Sequence, residues 1–263
     1  MKILSININS IRAHIESFMA ILDGGEYDVV CVQELKVDDV NFPHNLFETS
    51  GYNIKVHGQK SYNGVAIFSK YSIEDVSRYL PDYPDPSARF LECVINGRIR
   101  LINVYMPNGE NIDSPKFPYK IEWMTKFGEY IHRYRTGEEA VVICGDFNVA
   151  IEDVDVWDPR GYEGSSISAP PARKIMKEWL NPPPVDGNEI GWRDEWRYFH
   201  PNEIGYTWYG YRGRDAVGNG QGLRLDYFLT NKNAGHLVKN CYIDLRPRMA
   251  DRPTDHTGLV LEI

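Results

Sequence analysis

Polar residues able to do chemistry recur where apolar runs stop. Asn7 lies at the end of the first run, and Gln33 and Glu34 follow DVVCV. Tyr105 and Asn108 follow RLINV, and Asp146 and Asn148 follow AVVIC in the segment GDFN. Asp226 falls inside LRLDYFL, and Asp255 and His256 precede the closing run LVLEI. Taken singly, most have ordinary structural explanations, because Asp and Asn are common turn residues after a strand. Asp226 differs: a carboxylate inside an apolar strand is costly unless it is paired or serves a site.

Together these residues suit phosphodiester hydrolysis. That reaction needs a hard cation to neutralise developing charge, an activated water and a stabilised leaving oxygen. Magnesium prefers a few carboxylate or amide oxygens plus water. Glu34 and Asn7 can supply these, with Asp255 as a further candidate. His256, oriented by a carboxylate, can hold and polarise a phosphoryl oxygen. Asp146 can orient or deprotonate the water, with Asn148 fixing its geometry. Tyr105 and Asn108 can donate hydrogen bonds to the phosphate.

The elements that must position these groups alternate between strands and helices. Residues 3–8 and 28–32 read as strands, and 53–57 with 64–69 as a strand pair. RFLECVI and RIRLINVY flank Asn96-Gly97, the preferred pair of a two-residue hairpin turn. Residues 11–22 have helical spacing, with Ser10 as N-cap and Gly24-Gly25 as the stop. A second helix over 121–134 carries Ile121, Met124, Phe127, Ile131 and Tyr134 on one face, and a third includes Ile175, Met176, Trp179 and Leu180. Residues 140–144, 223–229 and the last five residues read as further strands. Stretches near 81–86, 106–118, 158–171 and 181–191 read as loops. This mixture predicts an α+β or mixed α/β domain with mostly antiparallel pairing. No GxGxxG or P-loop sequence is present.

Bulk composition narrows the class. A chain of 263 residues that is 42% hydrophobic and 25% charged has the makeup of an ordinary globular domain. No signal-peptide core or membrane-length apolar run occurs, so a cytoplasmic location without membrane contact is expected. Cys31, Cys93, Cys144 and Cys241 have no metal-site spacing and read as buried reduced thiols. The net charge of −8 weighs mildly against a nucleic-acid partner. A carboxylate-lined metal site with a local basic rim accommodates it.

The ordered set NINSIR, VQE, YNGVAIFS, NVYMPNG, GDFN, LRLDYFL and TDH resembles the exonuclease III and abasic endonuclease family of the endonuclease/exonuclease/phosphatase superfamily. The resemblance spans the whole chain, 1–263, as one domain. It implies a four-layer α/β sandwich, two packed mixed β-sheets flanked by helices. It implies a monomeric Mg²⁺ or Mn²⁺ enzyme acting on double-stranded DNA at abasic sites and 3′ ends. By position, Glu34, with Asn7 beside it, matches the metal-binding glutamate, and Asp255 an aspartate near the metal. Asp146 and Asn148 match the water-activating pair, Tyr105 and Asn108 the phosphate-side pair, and Asp226 and His256 the aspartate-oriented histidine. Arg12, Gln59, Lys60 and Arg89 match DNA-side positions. Trp208 and Leu225, with Leu223 nearby, match positions that line a pocket for a baseless sugar. The chain starts directly at its first strand, which implies a bacterial enzyme without a long N-terminal extension.

Two features depart from the family pattern. Gly258 stands where the family has proline, which predicts a looser backbone after His256. Segment 158–191 is divergent. Two rival readings share the resemblance: a phosphatase for a small phosphorylated molecule, and a catalytically inactive nucleic-acid-binding regulator. The stretch from Tyr206 to Phe228 disfavours the first, and the presence of Glu34, Asp146, Asn148, Asp226 and His256 disfavours the second.

Overall fold

Strand side chains point alternately to two faces, and in most strands here both faces are buried. Ile3 packs in one apolar cluster while Leu4 and Ile6 pack in another. This explains runs such as KILSIN and AVVIC, which carry almost no solvent-facing alternation. The computed structural model describes residues 1–134, 137–182, 191–211 and 216–263. In chain order the first elements are β1 (Lys2–Asn7), α1 (Ile15–Asp23), β2 (Val29–Gln33), β3 (Asn53–His57), β4 (Val65–Ser69) and β5 (Ile73–Ser77). Next come β6 (Phe90–Ile95), β7 (Ile99–Tyr105), α2 (Lys116–His132), β8 (Ala140–Asp146) and α3 (Pro170–Leu180). The chain closes with β9 (Arg193–Asp194), α4 (Glu195–Phe199), β10 (Asp226–Thr230), α5 (Lys232–Gly235), β11 (Asn240–Asp244) and β12 (Gly258–Glu262).

The strands form two six-stranded sheets. One has the order β11-β12-β1-β2-β4-β3 and the other β5-β6-β7-β8-β10-β9. Each has a parallel pair among antiparallel neighbours, β1 with β2 and β7 with β8. Ile3, Val29, Cys31 and Ile67 of the first sheet pack against Cys93, Leu101, Val142, Cys144 and Phe228 of the second. The outer face of the first sheet buries Phe18 and Leu22 of α1. That of the second buries Trp123, Phe127 and Ile131 of α2 and Met176 and Trp179 of α3. The result is the four-layer sandwich with mixed sheets. Each fully buried Ile, Leu or Phe stabilises it by about 1.5–3 kcal/mol. All four cysteines are free and buried. Among the described residues no helix is long and apolar enough to cross a membrane.

A polar tie crosses the inter-sheet core. Gln33 Nε2 donates to Asn103 Oδ1 at 2.7 Å, and Asn103 Nδ2 donates to Val32 O and Ala66 O at 3.0 Å each. It fixes β7 against β2 one residue before Glu34 and two before Tyr105. Buried polar groups joined in this way resist sliding, because any slip leaves them unpaired.

Several local expectations need correction. Helix α1 begins at Ile15, not residue 11, and Ser10 is not its N-cap: Ser10 has φ 97°, and residue His14 caps the helix without a side-chain bond. Helix α2 starts at Lys116, and its buried stripe is Lys120, Trp123, Met124, Phe127, Tyr130 and Ile131. Asn96 and Gly97 have φ of 53° and 60°, as the turn requires, yet Ile95 pairs with Ile99, so the hairpin loop has three residues. Pro170 and Pro171 are not loop but the opening of α3, where a missing N–H costs nothing. Strand β10 starts only at Asp226. Residues 183–190, in the expected 181–191 loop, lie outside the described residues.

Gly145 shows how tightly the reacting edge is built. Its φ is 134°, and a Cβ there would lie 1.9 Å from Val104 O on β7. Gly145→Ala is therefore expected to destabilise the fold by about 3 kcal/mol, read as a lowered urea midpoint at unchanged m-value. A midpoint indistinguishable from that of the wild type would refute the close-approach argument.

Candidate active site

Strand direction gathers the polar residues at one edge. The parallel pairs place the C-terminal ends of β1, β2, β7 and β8 together. Strands β10 and β12 run antiparallel to β8 and β1, so their N-terminal ends arrive at the same edge. Register then opposes Asn7 to Gln33, Tyr105 to Asp146, and Asp226 to Asp146.

Asp146 sits at the centre and is buried. Its Oδ1 accepts from the Asn148 backbone N–H at 2.9 Å. Its Oδ2 accepts from Asn7 Nδ2 at 2.9 Å and lies 3.7 Å from His256 Nε2. Asn7 Nδ2 also donates to Glu34 Oε1 at 2.8 Å. His256 Nδ1 donates to Asp226 Oδ2 at 2.8 Å. Asn108 Nδ2 donates to Asn148 Oδ1 at 2.9 Å, and Asn148 Nδ2 donates to Met106 O at 2.9 Å. The structure thus joins Asn7, Glu34, Asp146, Asn148, Asn108, His256 and Asp226 in one network, with Tyr105 beside Asp146 in register.

The electrostatics follow from burial among like charges. Burial pushes the Asp146 carboxyl up to about 7, with Asp226 and Glu34 adding to the rise and His256 opposing it. For His256, burial alone would lower the imidazolium. The carboxylates of Asp226, Asp146 and Asp255 outweigh that and raise it to about 10. His256 is therefore a cation at neutral pH, facing a carboxyl poised near neutrality. Burial, then the charges of Glu34 and Asp146, hold the Tyr105 phenol well above its ordinary range, so it stays a hydrogen-bond donor.

Backbone strain accompanies this arrangement. Glu34 and Asn148 have φ of 54° and 52°. Asn enters that region readily, but Glu does so rarely. Neighbouring backbone bonds hold Glu34 there: Leu35 N donates to Gly64 O at 3.1 Å and Ser10 N to Glu34 O at 2.8 Å.

Asp255 stands one step away. Its Oδ1 accepts from Asn9 Nδ2 and its Oδ2 from Trp208 Nε1, both at 3.0 Å. Trp208 packs on an apolar cluster with buried Leu223, Leu225 and Val156. Arg12 and Lys60 are exposed on the loops near Asp38, and Arg12 donates to Asn41 O at 3.0 Å. Gln59 braces the loops from within, since its Oε1 accepts from Asn63 Nδ2 at 2.8 Å and from Ala88 N at 3.0 Å. Arg89 also turns inward, 5.1 Å over the Tyr105 ring, and donates to Tyr105 O at 3.2 Å. The backbone after His256 is tied into the first sheet at Gly258. Gly258 opens β12 opposite Asp244, and a Cβ there would lie 2.7 Å from Leu4 Cδ1.

Sequence reasoning misses other residues at this edge. Lys36 Nζ lies 2.9 Å from Glu34 Oε2 and also donates to Asn9 Oδ1. Thr254 Oγ1 donates to Asn7 O at 2.7 Å, tying the segment before β12 to β1. Arg224, fully buried, bridges Asp155 at 2.8 Å and Asp194 at 2.6 Å and anchors the chain entering β10. Of these, Lys36 carries a local signal, since it lies two residues after Glu34.

Comparison with known proteins agrees with this geometry. Residues 4–256 match the Endonuclease/Exonuclease/phosphatase family. The chain belongs to that family. Within it, the endonuclease/exonuclease/phosphatase relatives include the exodeoxyribonuclease III of Haemophilus influenzae. It is 28% identical over 273 aligned positions, covering 100% of this chain and 99% of that protein. Among solved members, an AP endonuclease from Archaeoglobus fulgidus has a TM-score of 0.92 at 36% identity, covering 100% and 99% of the two chains. A 3′-5′ exonuclease from Neisseria meningitidis has a TM-score of 0.91 at 34% identity, with the same coverage. These likenesses place the chain in the exonuclease III and abasic endonuclease branch.

The donor set at the edge fits a hard divalent cation. The carboxylates of Glu34 and Asp146 converge on the one amide of Asn7. Among the described residues no three or more His, Cys, Asp or Glu come together as a group that could hold a metal ion, so any cation here rests on few side chains. A hard cation that keeps several waters needs only one or two protein carboxylates, whereas Zn²⁺ is held mainly by nitrogen and sulfur.

Proposed function

We propose that this protein, acting as one domain over residues 1–263, is a Mg²⁺-dependent nuclease that hydrolyses phosphodiester bonds of double-stranded DNA at 3′ ends and abasic sites. The observation that carries the reading is the buried Asp146, held by Asn7 and Asn148 and facing the His256–Asp226 pair. Relatives named for exodeoxyribonuclease III and AP endonuclease activity support DNA as the substrate.

Glu34 and Asn7 would hold Mg²⁺, or Mn²⁺ in its place, with Asp255 kept beside them through Asn9. The cation, when bound, supplies neutralisation of charge on the phosphoryl group and its leaving oxygen. Asp146 orients the attacking water and receives its proton, its carboxyl poised for that exchange near neutral pH. Asn148 fixes the carboxylate through its backbone N–H. The His256 cation, held by Asp226, hydrogen-bonds a phosphoryl oxygen. Tyr105 and Asn108 donate to the other side of the phosphate. Arg12 and Lys60 meet the flanking DNA backbone, and Gln59 and Arg89 shape the loops that approach it. Trp208, with Leu225 behind it, forms an apolar wall against a baseless sugar, which leaves a duplex at low unstacking cost.

The test is an end-labelled duplex with one abasic-site analogue beside an intact duplex, each with Mg²⁺ and with EDTA. Incision at the lesion and shortening from 3′ ends are expected with Mg²⁺ and lost with EDTA. The ratio of the two products ranks the activities. A folded protein, shown by titration to bind Mg²⁺, that leaves both duplexes intact would overturn the reading.

A further inference from the structure

A buried ammonium group lies behind the reacting edge, and the chemistry above makes no use of it. Lys120 sits on the inner stripe of α2 among Trp123, Met124 and Phe127, with no exposed surface. Its Nζ donates to three backbone carbonyls: Asn108 O at 3.0 Å, Asn148 O at 2.6 Å and Ser166 O at 3.1 Å. An ammonium has three N–H donors, whereas a neutral amine has two. The geometry therefore uses the full donor capacity of the charged form. Burial pushes Lys120 down to about 7 against the attraction of Asp146, and the three carbonyls favour the ammonium further.

The three carbonyls belong to three separate segments. Asn108 follows β7, Asn148 follows β8, and Ser166 lies in the loop before α3. Two of them are the site amides whose side chains bond each other at 2.9 Å. The backbone of Asn148 in turn holds Asp146. The surroundings are shaped for the lysine stem. Gly109 has φ 80°, and a Cβ there would lie 2.8 Å from Lys120 Cδ and 3.2 Å from Ser166 Cβ. Ser166 Oγ donates to Asn108 O at 2.5 Å, sharing that carbonyl with the ammonium.

We infer that Lys120 is a positioning residue of the active site, whose ammonium clamps the backbones of Asn108, Asn148 and Ser166 and so holds the Asn108–Asn148 amide pair against Asp146. Its kinetic consequence rests on the nuclease reading above, but its geometric consequence does not. Lys120 has no exposed surface with which to meet substrate, so its loss misplaces groups and leaves the surface of the site intact. Misplacement by about 1 Å can cost roughly a hundredfold in rate.

The experiment compares wild type, Lys120→Met, Asn148→Ala and the double variant in single-turnover and steady-state cleavage of the abasic duplex. Side-chain amide NMR spectra of the same proteins are recorded without substrate. Lys120→Met is expected to lower kcat about a hundredfold with KM within threefold, and to add less than threefold in the Asn148→Ala background. The Asn108 and Asn148 side-chain amide resonances are expected to move, while those of Asn53 and Asn233, remote from the clamp, stay in place. A folded Lys120→Met protein with kcat within threefold of wild type overturns the inference, as does a full hundredfold loss in both backgrounds. If Lys120→Met does not fold, Lys120→Arg carries the same comparison, because its planar fork keeps the charge but cannot meet three converging carbonyls. Should the wild type cleave no DNA, the nuclease reading fails by itself, and the amide resonances still decide the clamp: unmoved resonances overturn it.

Discussion

Asp146→Ala is expected to lower kcat on an abasic duplex by about 10⁴-fold, with KM changed by less than about threefold. The size follows from how many interactions end on this one carboxylate. Its loss removes the acceptor for the attacking water's proton. It also takes one of two acceptors from the Asn7 amide, which keeps its bond to Glu34, and leaves the Asn148 backbone N–H without its partner. The His256 cation loses a neighbour 3.7 Å away. Asp146→Asn keeps the shape and accepts one hydrogen bond but cannot take a proton, so it is expected to fall within tenfold of the alanine variant. Single-turnover cleavage with saturating Mg²⁺ checks both. Activity above a tenth of wild type in either variant would show that another group activates the water.

Removing the imidazole is expected to cost about 10³-fold in kcat for His256→Ala and about 10²-fold for Asp226→Asn. The double variant should be within about threefold of His256→Ala alone, because Asp226 acts mainly through the ring it holds. Its other oxygen, Oδ1, is buried without a hydrogen-bond partner among the described residues, so His256 is its main contact at the site, alongside a weaker charge effect that raises Asp146. Stability supplies an independent check. The folded His256 is raised to about 10 from an ordinary value of 6.5. A raised histidine contributes stability that is fully present below the unfolded value and is lost as pH rises through the folded one. The Tm difference between wild type and His256→Asn should thus be widest below pH 6.5 and shrink toward pH 10. A difference that is flat across this window would mean that the ring is not held as a cation.

Much of the site is legible because its residues break local rules. Asp226 is a charge in an apolar strand, and Asp146 and Asn148 follow a run buried on both faces. Both observations point to a strand end facing a site. Lys120 breaks a rule of the same kind, a charge on the apolar stripe of a helix. Hydrophobic spacing finds Met124, Phe127 and Ile131 of that stripe but counts only apolar side chains, and so passes Lys120 by. Asn9 is hidden for another reason. Its partner Asp255 lies 246 residues further along the chain, and no local pattern encodes a contact across that separation. Arg89 and Gln59 illustrate a third limit. Type and position suggest DNA-side groups, whereas ring stacking and loop hydrogen bonds turn them toward the protein. The start of α1 is displaced because residues 11–14 keep helical spacing while Asn9 and Ser10, at positive φ, turn the chain to bring Asn9 to Asp255.

The strand order of the first sheet bears on synthesis at the ribosome. Strand β12 is no edge strand: it inserts between β11 and β1, and the segment just before it delivers His256. Until β12 emerges, β1 lacks a partner on one side, and an unpaired central strand is sticky. A polypeptide ending before His256 would therefore lack the imidazole and the partner of β1 together. Completion of the sheet and arrival of the His256 cation are thus one event in the assembly of this fold.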